Sequence, residues 1–291
     1  MGASTPKVPQ PIRMMTLKNI SHAAQDARFA LKRLVLGPYR VRRAQVYGVG
    51  IGKSGTHSLA NMFSRNVRAR HEPEAEDLID HVLAWRGGRL AENDMAAYLR
   101  DRDRRLAIEV DSSGPNFQVI DLLLREFPDA RFVLTLRDCY SWANSMMNEI
   151  LRSANAPAQW LRLQKFCYEQ APIVHAPEEQ ALQQRGLYSL DAFFSHWAAR
   201  NEQAMAKIPA HRLFIVRTDQ LRRRAYELAD FAGLPRRAVR PHRTHEYRNP
   251  GKLPILREIP RAFLENKVDQ HCRPLMTRFF PEIKSLDDAH L

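Results

Sequence analysis

The sequence predicts an α/β fold of three layers, a mainly parallel central sheet with helices on both faces. Three observations carry that prediction. Short apolar runs alternate with stretches whose apolar residues recur at helical spacing, beginning with Val46, Tyr47 and Val49 and then Leu59, Met62 and Phe63. A glycine-rich turn from Gly48 to Gly55 joins that first run to its helix, at the place where a parallel sheet receives ligands. Two later apolar runs stop on charge, at Asp111 and at Arg137-Asp138. With 291 residues, 44% of them hydrophobic, the chain is long enough for one substantial core of this kind with appendages.

The elements follow in order. Residues 1–43 begin with a polar, proline-containing tail and then set Leu17, Ile20, Phe29, Leu31, Leu34 and Val35 among many Lys and Arg. This predicts a basic N-terminal extension with an amphipathic helix over 18–36, its charged face in solvent. Residues 44–235 form the α/β core. After the first strand, loop and helix, a second strand is expected over 106–110, followed by a helix carrying Ile120, Leu123, Leu124 and Phe127 that Pro128 ends. A third strand is expected over 131–136, then a helix carrying Trp142, Ser145 and Met146. A helix over 189–206 leads to a fourth strand over 213–216, and a helix over 221–231 stops at Gly233 and Pro235. Residues 71–105 and 150–188, polar and charged, read as irregular insertions that shape a pocket. Residues 236–291 form a basic segment packed on the core, with Arg236, Arg237, Arg240, Arg243, Arg248 and Lys252 crowded near its start.

The formal charge of +13 suits a polyanionic ligand, an anionic membrane surface or nucleic acid. A nucleic-acid-reading motif is not recognisable, because the cations are spread rather than interleaved with stacking aromatics. Cys139, Cys167 and Cys272 form no CxxC pair and no disulfide framework, which fits a reducing compartment. No run reaches the roughly 20 apolar residues of a membrane span, and no apolar signal core opens the chain, so a soluble cytoplasmic protein is expected. Contact of the basic N-terminal segment with a membrane is the weaker alternative to its packing on the core.

The loop is built for an anion. Gly48, Gly50, Gly52 and Gly55 let successive N–H groups converge, Lys53 adds a full positive charge, and Ser54, Thr56 and Ser58 add hydroxyls at the start of a helix. The ATP-binding P-loop, G-x-x-x-x-G-K-S/T, would require a glycine at Tyr47, so this loop is one residue short of it. His57, in the same first turn, could hydrogen-bond a phosphate, abstract a proton, or simply cap and pack. A second anion grip is offered by Arg137, which closes a strand, and Ser145, two helical turns on.

These words carry a family resemblance. Lys53-Ser-Gly-Thr56 resembles the 5′-phosphosulfate loop of sulfotransferases that use PAPS (3′-phosphoadenosine 5′-phosphosulfate). Arg137-Asp138 with Ser145 resembles their 3′-phosphate motif, with Cys139 where the family has proline. Phe127-Pro-Asp-Ala130, Arg212 to Leu221 and Phe231-Ala-Gly-Leu-Pro235 add echoes in the right order. The resemblance covers roughly 45–235 and implies a P-loop-like sulfotransferase architecture with PAPS as sulfuryl donor and no metal. Its activity would be transfer of the sulfuryl group to an acceptor hydroxyl or amine by in-line displacement. It also implies that Gly52, Lys53, Ser54, Gly55, Thr56, His57, Ser58, Arg137 and Ser145 bind the donor. The family's C-terminal basic-glycine segment is matched loosely by Arg248-Asn249-Pro250-Gly251-Lys252.

Lys53 is the expected charge stabiliser, and Asp111 the expected base ahead of Glu109, two residues earlier on one strand face. An ion pair of either carboxylate with Arg104 or Arg105 is the structural alternative. His71-Glu72-Pro73 borders the site, where surface hydrogen bonding is favoured over metal ligation. Trp160, Phe166, Tyr168, His175, Phe193, Phe194 and Trp197 are acceptor-pocket candidates or core packing. A nucleotide kinase or hydrolase, and a non-catalytic anion- or nucleotide-binding protein of the same fold, remain alternatives.

Overall fold

The computed structural model describes residues 42–63, 66–153, 155–169, 172–245 and 251–291. The expected helix over 18–36 and Arg248 lie outside the described residues.

Five parallel strands form one sheet in the order β2-β3-β1-β4-β5: β1 Val46–Gly48, β2 Ala69–His71, β3 Val110–Ser112, β4 Arg131–Leu136 and β5 Leu213–Arg217. The side-chain alternation of a strand divides the core into two faces. Tyr47, Phe132, Leu134 and Leu136 point to one face, and Val46, Val110, Val133 and Val216 to the other. The second face is covered by α1 Thr56–Asn61 through Leu59. On the first face lie α2 Ala75–Arg86, α3 Glu92–Leu106, α4 Ile120–Glu126, α5 Cys139–Arg152 and α6 Ala158–Tyr168. They are joined there by α7 Leu190–Lys207, whereas α8 Ala225–Ala232 returns to the side of α1. The C-terminal helices α9 Arg261–His271 and α10 Arg273–Phe279 add Leu264, Val268, Leu275 and Met276 to the larger core. The sheet is therefore entirely parallel, between two helical layers.

Three expectations change. Residues 71–105 are largely helical: α3 is hidden by its charge, since only Met95, Ala96, Leu99 and Arg102 are buried along it. The second strand lies four residues later than expected, because Leu106 still belongs to α3 and Ala107 turns the chain with φ 47°. β3 is Val-Asp-Ser, whose polar members are satisfied by partners rather than by apolar burial: Ser112 donates to the Thr56 carbonyl at 2.7 Å, and Asp111 pairs with Arg102. β2, Ala-Arg-His, has no apolar run to announce it. Between 150 and 188, α6 is helical as well. No helix among the described residues is long and apolar enough to cross a membrane.

Candidate active site

The carboxyl ends of β1 and β4 carry the two anion motifs. After β1, Gly50 passes so close to β4 that an added Cβ would lie 2.1 Å from Thr135 Oγ1. Gly55 takes φ 103° as the residue before α1, a left-handed conformation that glycine holds without a Cβ penalty. Lys53 is left-handed too, at φ 67°, a conformation uncommon outside glycine, asparagine and aspartate. The Ser54 hydroxyl is used internally: it donates to the Ile51 carbonyl at 2.6 Å and shares a 2.9 Å hydrogen bond with Thr135 Oγ1. The Ser54 side chain thus fixes the loop's shape. Thr218, after β5, donates to the carbonyls of Leu136 (2.9 Å) and Ser54. Thr56 Oγ1 shares a 3.2 Å hydrogen bond with His71 Nε2, and His57 packs edge-on against the same ring at 4.7 Å. Ser58 is half-buried on the next step of α1.

Two tryptophans tie the motifs to the core. Trp142 Nε1 donates to the Gly52 carbonyl at 2.9 Å, and Trp197 Nε1 to the Arg137 carbonyl at 3.0 Å. Arg137 donates through Nε to Ser141 Oγ (2.9 Å) and through Nη1 to the Lys53 carbonyl (3.4 Å), so the structure brings the two motifs into contact. Asp138 caps α5 by accepting from the Ser141 amide at 2.8 Å. Ser145, two turns into α5, is buried. Burial lowers the pKa of Arg137. Lys252 is a third cation at this place: burial, and then the positive charges of Arg137 and Lys53, push it down to about 8. The basic segment after residue 235 therefore delivers Lys252 to the site.

Four carboxylates stand around these cations or were expected to. Lys53 Nζ pairs with Glu149 Oε2, on α5, at 2.8 Å. Burial acts to raise Glu149, but Lys53 and Arg152 outweigh it and hold the carboxyl below its usual range. Glu72 follows β2 with φ 52°, its side chain 28% exposed. Burial in the cleft, then the negative charge of Glu149, raise Glu72 to about 7 against the opposing pull of Lys53.

The expectation that Asp111 and Glu109 open together onto the cleft is corrected. Asp111 pairs with Tyr47 across the sheet and so faces α3, where Arg102 Nη1 meets its Oδ2 at 2.7 Å. Ser113 Oγ (2.5 Å) and Asn116 Nδ2 (3.3 Å) donate to its other oxygen. Glu109 lies at the opposite, amino end of the sheet, bound by Arg43 Nε at 2.9 Å and the Arg68 amide at 2.8 Å. Both are ion-paired, but with Arg102, Arg43 and Arg68 rather than Arg104 or Arg105. Breaking a buried pair leaves an uncompensated charge, so Asp111→Ala is expected to cost about 3–5 kcal/mol of stability. Urea unfolding checks this, and a loss below about 1 kcal/mol would refute the structural role.

Glu72, Glu149 and Lys252 join the cluster although none was given a catalytic or donor-binding role from sequence; Glu72 was expected only to border the site, and Lys252 only as part of the loosely matched segment 248–252. Their signal in the sequence was position alone: Glu72 follows a strand too short and polar to recognise, Glu149 is one turn beyond Ser145, and Lys252 stands four residues past Arg248.

The family model described as sulfotransferase domain matches residues 45–222, more than half of the chain. Among solved structures, the chain is similar to a sulfotransferase from Alicyclobacillus acidocaldarius, with 18% identity over 81% of this chain and 96% of that one and a TM-score of 0.45. A sulfotransferase from Mycobacterium avium matches at 15% identity over 94% and 89% of the two chains, TM-score 0.46. The sulfotransferase domain of a Synechococcus olefin synthase matches at 11% identity over 71% and 80%, TM-score 0.36. No curated protein sequence matches the chain.

Proposed function

Because this chain belongs to the sulfotransferase domain family, we propose that it moves a sulfuryl group from PAPS to an acceptor hydroxyl or amine by in-line displacement. The observation that carries the reading is the convergence of Lys53, Arg137 and Lys252, with Lys252 driven down to about 8 by burial and its two like neighbours. Three cations sharing one cleft are relieved by an anion of several charges. The residues fit a bisphosphate donor: Lys53 and the loop amides from Gly52 to Ser58 at the 5′ end, Arg137 and Ser145 at the 3′-phosphate, and Lys252 beside both. PAPS supplies the sulfuryl group and a phosphate leaving group.

In this reading the chain's own residues perform three tasks. Lys53, now held by Glu149, turns to the negative charge that develops on the leaving oxygen. Arg137, anchored through Ser141 and the Lys53 carbonyl, fixes the nucleotide. Glu72 takes the role first expected of Asp111, accepting the acceptor's proton at its carboxylate. Its elevated pKa makes it a stronger base than an ordinary glutamate while it is still ionised near neutral pH. Asp111, through Arg102, holds β3 to α3.

Calorimetric titration with adenosine 3′,5′-bisphosphate beside ATP and GTP tests the donor. Adenosine 3′,5′-bisphosphate is expected to bind tightest, without magnesium, and Arg137→Ala to weaken it about tenfold to a hundredfold, the worth of a hydrogen bond to a charged group. Magnesium-dependent preference for ATP would replace this reading with a kinase or hydrolase.

A further inference from the structure

Beyond the donor cations, two guanidiniums border the 114–119 segment with no carboxylate partner among the described residues. Arg86, ending α2, donates through Nη2 to the Gln118 carbonyl at 2.5 Å, and its guanidinium lies 4.3 Å from the Trp85 ring centre. Arg200, on α7, lies 4.7 Å over the neighbouring Phe117 ring. Among the described residues neither forms an ion pair, whereas on α3 Arg100, Arg102 and Arg105 pair with Glu126, Asp111 and Glu74. Arg200 feels the charge of Arg86, and the Cys167 thiol and Tyr168 hydroxyl act on it in the opposite sense. Burial and the Arg86 charge bring Arg200 below its usual range. Arg200 is half-buried and Arg86 exposed. Among the described residues no carboxylate pairs with either, so an anion between them would relieve the repulsion that Arg86 exerts on Arg200.

An aromatic wall links this pair to the glycine loop. Trp142, which holds the Gly52 carbonyl, stacks with His196 at 6.2 Å, and His196 meets Tyr168 at 4.7 Å. Burial and Arg200 keep His196 uncharged, at about 3, so it adds no competing cation. Arg200 follows His196 by one helical turn on α7. Cys167, His196 and Arg200 each retain partial exposure, unlike the sealed Phe193, Phe194 and Trp197 behind them.

We infer that the acceptor is itself an anion: a hydroxyl compound whose aromatic or apolar body carries a carboxylate, seated between Arg86 and Arg200. The body lies along the partly exposed Cys167–His196 face, and the hydroxyl points back toward the loop. The inference rests on the sulfuryl-transfer reading and narrows it to a class of acceptor. Planar guanidinium forks suit a carboxylate, and stacking surfaces suit a ring.

The test uses hydroxybenzoate, hydroxyphenylacetate and hydroxyphenylpropanoate, each beside its methyl ester. Binding is measured calorimetrically with and without adenosine 3′,5′-bisphosphate, and sulfation is measured with PAPS. At least one acid is expected to bind about tenfold or more tightly than its ester, a difference of ~1.4 kcal/mol. Arg86→Gln and Arg200→Gln should bring that ratio toward one with nucleotide affinity unchanged, and Arg200→Lys should retain part of it. If no acid surpasses its ester in the wild-type protein, or if the preference survives both glutamine variants, the inference is overturned. Acid preference without nucleotide binding would sink the donor reading and keep the anion site. Nucleotide binding without acid preference would do the reverse.

Discussion

Lys53→Ala is expected to slow sulfuryl transfer by roughly 10²–10³-fold in single-turnover assays, the range found when one preorganised donor to a developing oxyanion is removed. The change should leave the fold intact. Lys53 is partly exposed, its pair with Glu149 is of a kind worth about 0–1 kcal/mol, and Glu149 keeps Arg152 as a partner. Alanine is also the right replacement for the backbone, since it meets the φ of 67° with the same Cβ as lysine, whereas glycine would relax the loop and confuse the result. A variant that turns over at the wild-type rate would remove Lys53 from the chemistry altogether.

Glu72→Gln is expected to lower kcat by about 10²–10³-fold, within the range of a general base, with nucleotide affinity held or slightly improved. The improvement follows from charge, because Glu72 sits within the influence of Lys53 and competes with the donor for it. The pH profile gives the sharper test. A base must be ionised to work, and Glu72 is raised to about 7, so kcat/KM should climb as pH rises through 7 and level off above it. That limb should vanish in Glu72→Gln and persist in Asp111→Asn. An unchanged limb in Glu72→Gln would send the proton elsewhere, with His57 and His71, in contact at 4.7 Å, next to be tried.

What could be read from the chain beforehand followed from where its signals lie. β4 was legible residue for residue because five of its six residues are buried and its ends are charged. The glycine loop was legible because close approach at Gly50 and the left-handed angle at Gly55 are demands that few residue types meet. α3 was missed because a stripe of Met95, Ala96, Leu99 and Arg102 is too narrow, and too polar at one member, to stand out among eight other charged or amide side chains. The carboxylates were the hardest to sort. Asp111 and Glu109 have the composition and spacing of a paired site, yet one faces α3 and the other the amino end of the sheet. Glu72 becomes notable only when β2 folds beside β3 and brings it under the influence of Glu149 and Lys53. That is a three-dimensional fact with no one-dimensional trace.

Trp142 and Trp197 each hold one backbone carbonyl, that of Gly52 and that of Arg137, and both rings are sealed in the core. The gap between the two anion motifs is therefore a caliper whose jaws are set from the interior. Surface residues of the cleft can drift in evolution without altering that setting. A change in the size of either indole resets it.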